Sequence, residues 1–139
     1  MSAAVLAFTS SQTTTSATEQ TWSVVSSTPA SNTALVAADY DNVGSTSFGS
    51  IEADSGVTTD SSTYNAITLN GSGEAAISTS GVTKLAMRWE ADRADAEPSS
   101  GTNGCQIQML SADTSGTSKD PKLTVTHAAP AFIPEVRFF

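Results

Sequence analysis

Alternation of apolar and polar side chains organises this chain. Between residues 84 and 90, Leu85, Met87 and Trp89 share one parity, while Lys84, Arg88 and Glu90 share the other. Successive side chains of an extended strand point to opposite faces, so this spacing predicts a half-buried strand with the first three inward. Cys105–Met109 repeats the pattern, with Cys105, Ile107 and Met109 inward and Gln106 and Gln108 outward. Lys122–Thr126 repeats it again, with Leu123 and Val125 inward. Weaker strands are predicted over 3–9, 20–26 (Trp22 and Val24 inward), 47–53 and 64–70, and these add Phe48, Ile51 and Leu69 to the expected core.

Asn70-Gly71, Asn103-Gly104, Ser80-Gly81 and Ser115-Gly116 punctuate the runs, and such pairs suit turns because they tolerate positive φ. One short helical turn is expected over 73–78, with Ser72 as its cap. Residues 10–21 are almost purely hydroxylic and read as a mobile loop. Seven short strands with little helix predict an all-β fold, an antiparallel, jelly-roll-like β-sandwich of seven or eight strands with at most one short helix. The sandwich is expected to occupy residues 1–127.

Residues 128–139 differ in kind. Pro130 and Pro134 exclude a regular central strand, and Phe132, Ile133, Val136, Phe138 and Phe139 give this C-terminal arm a large apolar surface. Left in water, such a surface invites association, so the arm is expected to pack on its own domain or dock on a neighbouring subunit. The expected subunit contacts are those five residues, with Val5, Leu6 and Phe8 as a second patch.

Composition narrows the function. Fourteen acidic groups against six basic ones give a net charge of −8, which phosphate backbones would repel, so nucleic-acid binding is disfavoured. No apolar run approaches the roughly 20 residues of a spanning helix, and no Lys/Arg-led hydrophobic leader opens the sequence. Hydrophobic residues are 38% of the chain, enough for one thin core between two sheets. One histidine and one cysteine permit neither an internal disulfide nor a zinc cluster, leaving packing or assembly as the source of stability.

Several stretches between Trp22 and Thr126 carry a family resemblance. They are Val24-Val25-Ser26-Ser27-Thr28-Pro29-Ala30, Asp39-Tyr40-Asp41-Asn42-Val43-Gly44-Ser45-Thr46-Ser47-Phe48, Tyr64-Asn65-Ala66-Ile67-Thr68-Leu69-Asn70 and Gly81-Val82-Thr83-Lys84-Leu85-Ala86-Met87-Arg88. The most specific is Ala112-Asp113-Thr114-Ser115-Gly116-Thr117-Ser118-Lys119-Asp120-Pro121-Lys122-Leu123-Thr124-Val125. In this order they resemble a β-sandwich module of the DNRLRE kind, related to disaggregatase repeats. The resemblance implies a module of secreted and cell-surface proteins, with similar sequences in phage virion proteins. The chain departs from the family in starting at what looks like a middle strand and in carrying the arm beyond the module. A missing strand exposes an edge, and with an apolar extension it suggests exchange between subunits.

Candidate chemistry is sparse. Asp39 and Asp41 flank Tyr40, and Asp92, Asp95 and Glu97 follow Trp89. Paired carboxylates can hydrolyse glycosides or bind calcium. EF-hand spacing is absent and Arg93 interrupts the second group, so these read first as solvated loop acids, with Asp39, Asp41, Asp92 and Asp95 as weak calcium candidates. Trp22, Trp89, Tyr40 and Tyr64 could form a sugar-stacking platform, but both tryptophans share the core parity and Tyr40 is the better surface ring. His127 continues the inward parity of Leu123 and Val125, and Cys105 reads as a small buried hydrophobe. Asn70-Gly71-Ser72 is a glycosylation sequon, and no nucleophile elbow, phosphate loop or dinucleotide fingerprint occurs. The expectation is a non-enzymatic structural protein without a cofactor. It would assemble in many copies on a virion as a capsid decoration or head-surface protein, with itself and a major capsid protein as partners. A tail or fibre component, a secreted carbohydrate-binding module and, last, a glycosidase or lyase are the alternatives.

Overall fold

The apolar run at the start of the chain and the hydroxylic run after it form two nearly continuous strands. The computed structural model describes residues 3–15, 20–96 and 105–127. Ala3–Phe8 is β1 and Ser10–Thr15 is β2, joined through Thr9. Next come β3 (Thr21–Ser26), a 3-10 turn (Ala37–Asn42), β4 (Gly49–Glu52), β5 (Asn65–Thr68) and helix α1 (Gly71–Ala75). Strand β6 (Leu85–Trp89), helix α2 (Glu90–Arg93), β7 (Cys105–Met109) and β8 (Lys122–Thr126) complete the described chain. The sheets run β5-β1-β8, β2-β7 and β4-β3-β6, and every pairing is antiparallel. The fold is all-β and sandwich-like. No helix among the described residues is long and apolar enough to cross a membrane.

All seven strands that alternation predicts are present. The eighth, β2, corrects the expected loop at 10–21, of which residues 16–19 lie outside the described residues. Hydroxyl side chains that look loop-like in sequence here satisfy the sheet. Ser10 Oγ donates to the Gln108 carbonyl at 3.0 Å and Ser11 Oγ to Gln108 Oε1 at 3.1 Å, while Thr9 and Ser10 are wholly buried. Threonine is also among the better strand formers.

The core is Ala4, Phe8, Val24, Phe48, Ile51, Ile67 and Leu69, flanked by half-buried Leu6, Trp22, Leu85, Met87, Ile107, Leu123 and Val125. Strand β3 is central to its sheet and buried on both parities, since Ser23 and Val25 are as enclosed as Val24. Gly49 lets β4 back onto β5. A Cβ there would stand 2.6 Å from the Thr68 carbonyl oxygen, and its φ of +156° suits glycine.

Several expectations are corrected. Phe8 is 1% exposed and belongs to the core, so it cannot be a surface contact. Val5 and Leu6 are half-buried, with Val5 between Thr68 and Thr124 of the adjacent strands. Met109 is exposed rather than inward, at the end of β7 where the register with β2 shifts between Ser10 and Gln12. Such a bulge re-aims side chains beside it. Trp89 and Cys105 are half-buried, and His127 is exposed beyond the end of β8. Lys84 and Arg88, expected to face water, are half-buried too, because each donates to a loop carbonyl.

Helical structure exceeds the single turn expected, and α1 starts two residues early. Asn70 is its cap, accepting from the Ser72 and Gly73 amides at 3.0 and 3.1 Å, so Asn70-Gly71 opens a helix where a turn was predicted.

Candidate functional site

The 28–42 loop is closed at its base and tied inside by one carboxylate. Gly44 N–H donates to the Ser26 carbonyl and Thr28 N–H to the Asn42 carbonyl, each at 2.9 Å. Within the loop, Asp39 is 7% exposed and accepts from the Ala30 amide at 2.9 Å and the Val36 amide at 3.0 Å. Those two backbone donors, Val36 foremost, hold its carboxyl below the ordinary carboxylate value. The loop is thereby fixed from within, and its apolar residues are turned outward.

Leu35, Val36 and Tyr40 project from this loop at 81%, 58% and 72% exposure, and Val82, just before β6, is 67% exposed. They are four of the five large exposed hydrophobic residues in the described chain. All four border one groove of about 790 Å³, completed by Leu85 and Ala86. Lys84 Nζ donates to the Pro29 carbonyl at 3.1 Å and bridges the two walls. A second groove of about 250 Å³, which shares Tyr40 and Val43 with the first, continues past Met87 to Trp22 and Trp89.

Two ion pairs brace this side. Arg88 Nε contacts Asp92 Oδ2, and Tyr40 donates its hydroxyl to Asp92 Oδ1 at 3.2 Å. Arg93 pairs with Glu90, which also accepts from Ser23 Oγ at 2.8 Å. The hydrogen bond from Arg88 lowers the pKa of Asp92, and that from Arg93 lowers the pKa of Glu90. A general acid of a glycosidase needs the opposite shift, so neither carboxyl is tuned for that role.

The four calcium candidates are not gathered into a site. Both oxygens of Asp39 are taken by amides, and those of Asp92 by Tyr40 and Arg88. Asp41 and Asp95 are exposed, and Glu97 lies outside the described residues. Among the described residues no three His, Cys, Asp or Glu side chains cluster as metal ligands do. The solvated-acid reading therefore describes Asp41 and Asp95, whereas Asp39 and Asp92 are fastenings.

Tyr64 is fastened too. Its hydroxyl lies 3.1 Å from the Ser118 carbonyl and 3.0 Å from that of Asp120, and Lys122 Nζ sits 3.7 Å from the ring centre. That leaves Tyr40 as the exposed tyrosine. Trp22 donates its indole N–H to Cys105 Sγ at 3.2 Å, linking β3 to β7. Asn70 of the sequon caps α1 through Oδ1 and donates Nδ2 to the Ser47 carbonyl at 2.9 Å, so a glycan there would compete with a structural contact.

Sequence reading missed Leu35, Val36 and Val82. The signal was present, since Ala34-Leu35-Val36-Ala37 is an apolar run inside an otherwise polar loop. The expected contacts Phe132, Ile133, Val136, Phe138 and Phe139 lie outside the described residues. No family model, curated protein or solved structure matches the chain.

Proposed function

We propose that this chain is a non-enzymatic virion structural protein, a DNRLRE-like, jelly-roll-like sandwich assembled in many copies as a decoration of a phage head surface. The observation that carries assembly is the apolar groove. Four large side chains more than half exposed, three on a loop fixed by Asp39 and Val82 facing them across the groove, make a surface suited to another protein rather than to a polar substrate. The virion setting comes from the resemblance of residues 22–126. Its partners in this reading are further copies of itself and a major capsid protein.

Cryo-electron microscopy of particles purified from the source tests the proposal. Density for this side-chain sequence in a symmetric lattice on the head is the expected result. Density on a tail or fibre would relocate the protein, and absence from every particle would refute a virion role. Deletion of residues 128–139 should abolish incorporation while far-UV circular dichroism stays that of a β-protein.

Glycan binding by a secreted module is the second reading, favoured by the 72% exposed Tyr40 ring alone. Tyr40→Ala should then abolish retention on a polysaccharide resin without loss of fold.

A further inference from the structure

We propose that the groove between the 28–42 loop and the start of β6 is the receptor for the 128–139 segment of a second copy of this chain. That a second copy donates the segment rests on the assembly reading above. The match between groove and segment stands on its own observations.

The groove presents Leu35, Val36, Tyr40 and Val82, each more than half exposed, and its shape is set beforehand by the hydrogen bonds of Asp39 and Lys84. A receptor already ordered loses little conformational freedom on binding. The segment offers Phe132, Ile133, Val136, Phe138 and Phe139, with Pro130 and Pro134 restricting its backbone. Proline-stiffened apolar segments suit grooves for the same entropic reason. Glu135 and Arg137 cancel, so the segment approaches a chain of net charge −8 without repulsion.

Position agrees with chemistry. Strand β8 ends with Thr126 opposite Ala3. One residue on, the Ala4 carbonyl accepts from the Leu69 amide, Asn70 donates to Phe48, and Phe48 donates to Val24. The exit of β8 thus lies at the end of the sandwich where β3 finishes, and there Ser27 donates its amide to the Lys84 carbonyl at 3.2 Å beside the groove. Twelve residues beyond that exit span up to about 40 Å when extended. Two copies that exchange segments reciprocally form a closed pair, and copies that pass the segment on in one direction form rings or open arrays.

Two variants of the full chain test this by complementation. Leu35→Asp removes the receptor, and the double variant Phe138→Asp, Phe139→Asp removes the insert. Light scattering coupled to size exclusion should find the native chain multimeric and each variant monomeric with unchanged circular dichroism. An equimolar mixture of the two should form 1:1 dimers and nothing larger, since one intact groove and one intact segment remain. Met109→Asp, exposed but away from the groove, should leave the multimer intact. A native monomer, a mixture that stays monomeric, or a Leu35→Asp protein that still multimerises would each overturn the proposal. Particle incorporation separates it from the decoration reading. Leu35→Asp loaded normally on heads would sink the groove alone, whereas complementation without any particle-bound protein would sink the head-surface role alone.

Discussion

Tyr40 and Asp92, 52 residues apart in the chain, are joined by a 3.2 Å hydrogen bond from hydroxyl to carboxylate. The same carboxylate meets Arg88, so a ring on the rim of the large groove is fastened to the end of β6 and to α2. The groove wall is therefore part of the sandwich rather than a loose flap.

Tyr40→Phe removes that fastening and keeps the ring. Asp92 is 38% exposed and retains Arg88, so the loss should be small, about 0.5–1 kcal/mol by urea unfolding. Multimerisation should survive Tyr40→Phe and weaken with Tyr40→Ala. Equal effects of the two variants would show that the hydroxyl, not the ring, serves assembly.

Asp39 should make the loop sensitive to acid. Its carboxyl titrates lower in the folded protein than the ordinary value of 3.8, so its contribution is complete above that value and is lost as pH falls through the lowered one. Asp39→Asn should be less stable than the native chain near neutrality, and the gap should close as the pH drops below 3.8. Unfolding midpoints of the two proteins across that range check this. A gap independent of pH would mean the carboxylate charge contributes nothing.

Two glycines should respond in opposite directions to alanine. Gly49→Ala places a methyl against the Thr68 carbonyl and Ile67 Cγ2, where β4 meets β5, and should cost about 1–3 kcal/mol. Gly71→Ala sits in the first turn of α1 with open space around it, and should stabilise by roughly 0.5–1 kcal/mol. Thermal melts of the pair decide it.

Strands were legible in the sequence because a sandwich face imposes a period of two, and Leu123, Val125, Leu85 and Met87 keep that period against the core. Two features were hidden for physical reasons. In β2, Ser10 and Ser11 bond the Gln108 carbonyl and side-chain amide through their hydroxyls, so the burial of Ser10 leaves no apolar trace. Met109 has the right parity, but the register shift opposite β2 turns it outward, and a bulge has no composition of its own. At the candidate site the carboxylates were visible as residues but not as partners. Asp39 looks like any loop acid until the amides of Ala30 and Val36 are seen converging on it.

Tyr64 carries the sharpest disagreement between the two levels. As a ring in a polar chain it suggests a sugar platform, and its loss would then leave stability nearly intact. In the fold its hydroxyl is shared by the carbonyls of Ser118 and Asp120, and Lys122 covers its ring from 3.7 Å. These contacts pin the 110–121 connection onto the start of β5 and lead it into β8. Tyr64→Phe should cost about 1 kcal/mol, the ordinary worth of one such hydrogen bond. Tyr64→Ala should cost about 2–4 kcal/mol, because the ring's packing and the cation contact go with it. Urea unfolding followed by tryptophan fluorescence would measure both, using Trp22 and Trp89 as reporters in the neighbouring sheet. If Tyr64→Ala unfolds at the native midpoint and loses retention on a glycan, the fastening described here is not what Tyr64 is for.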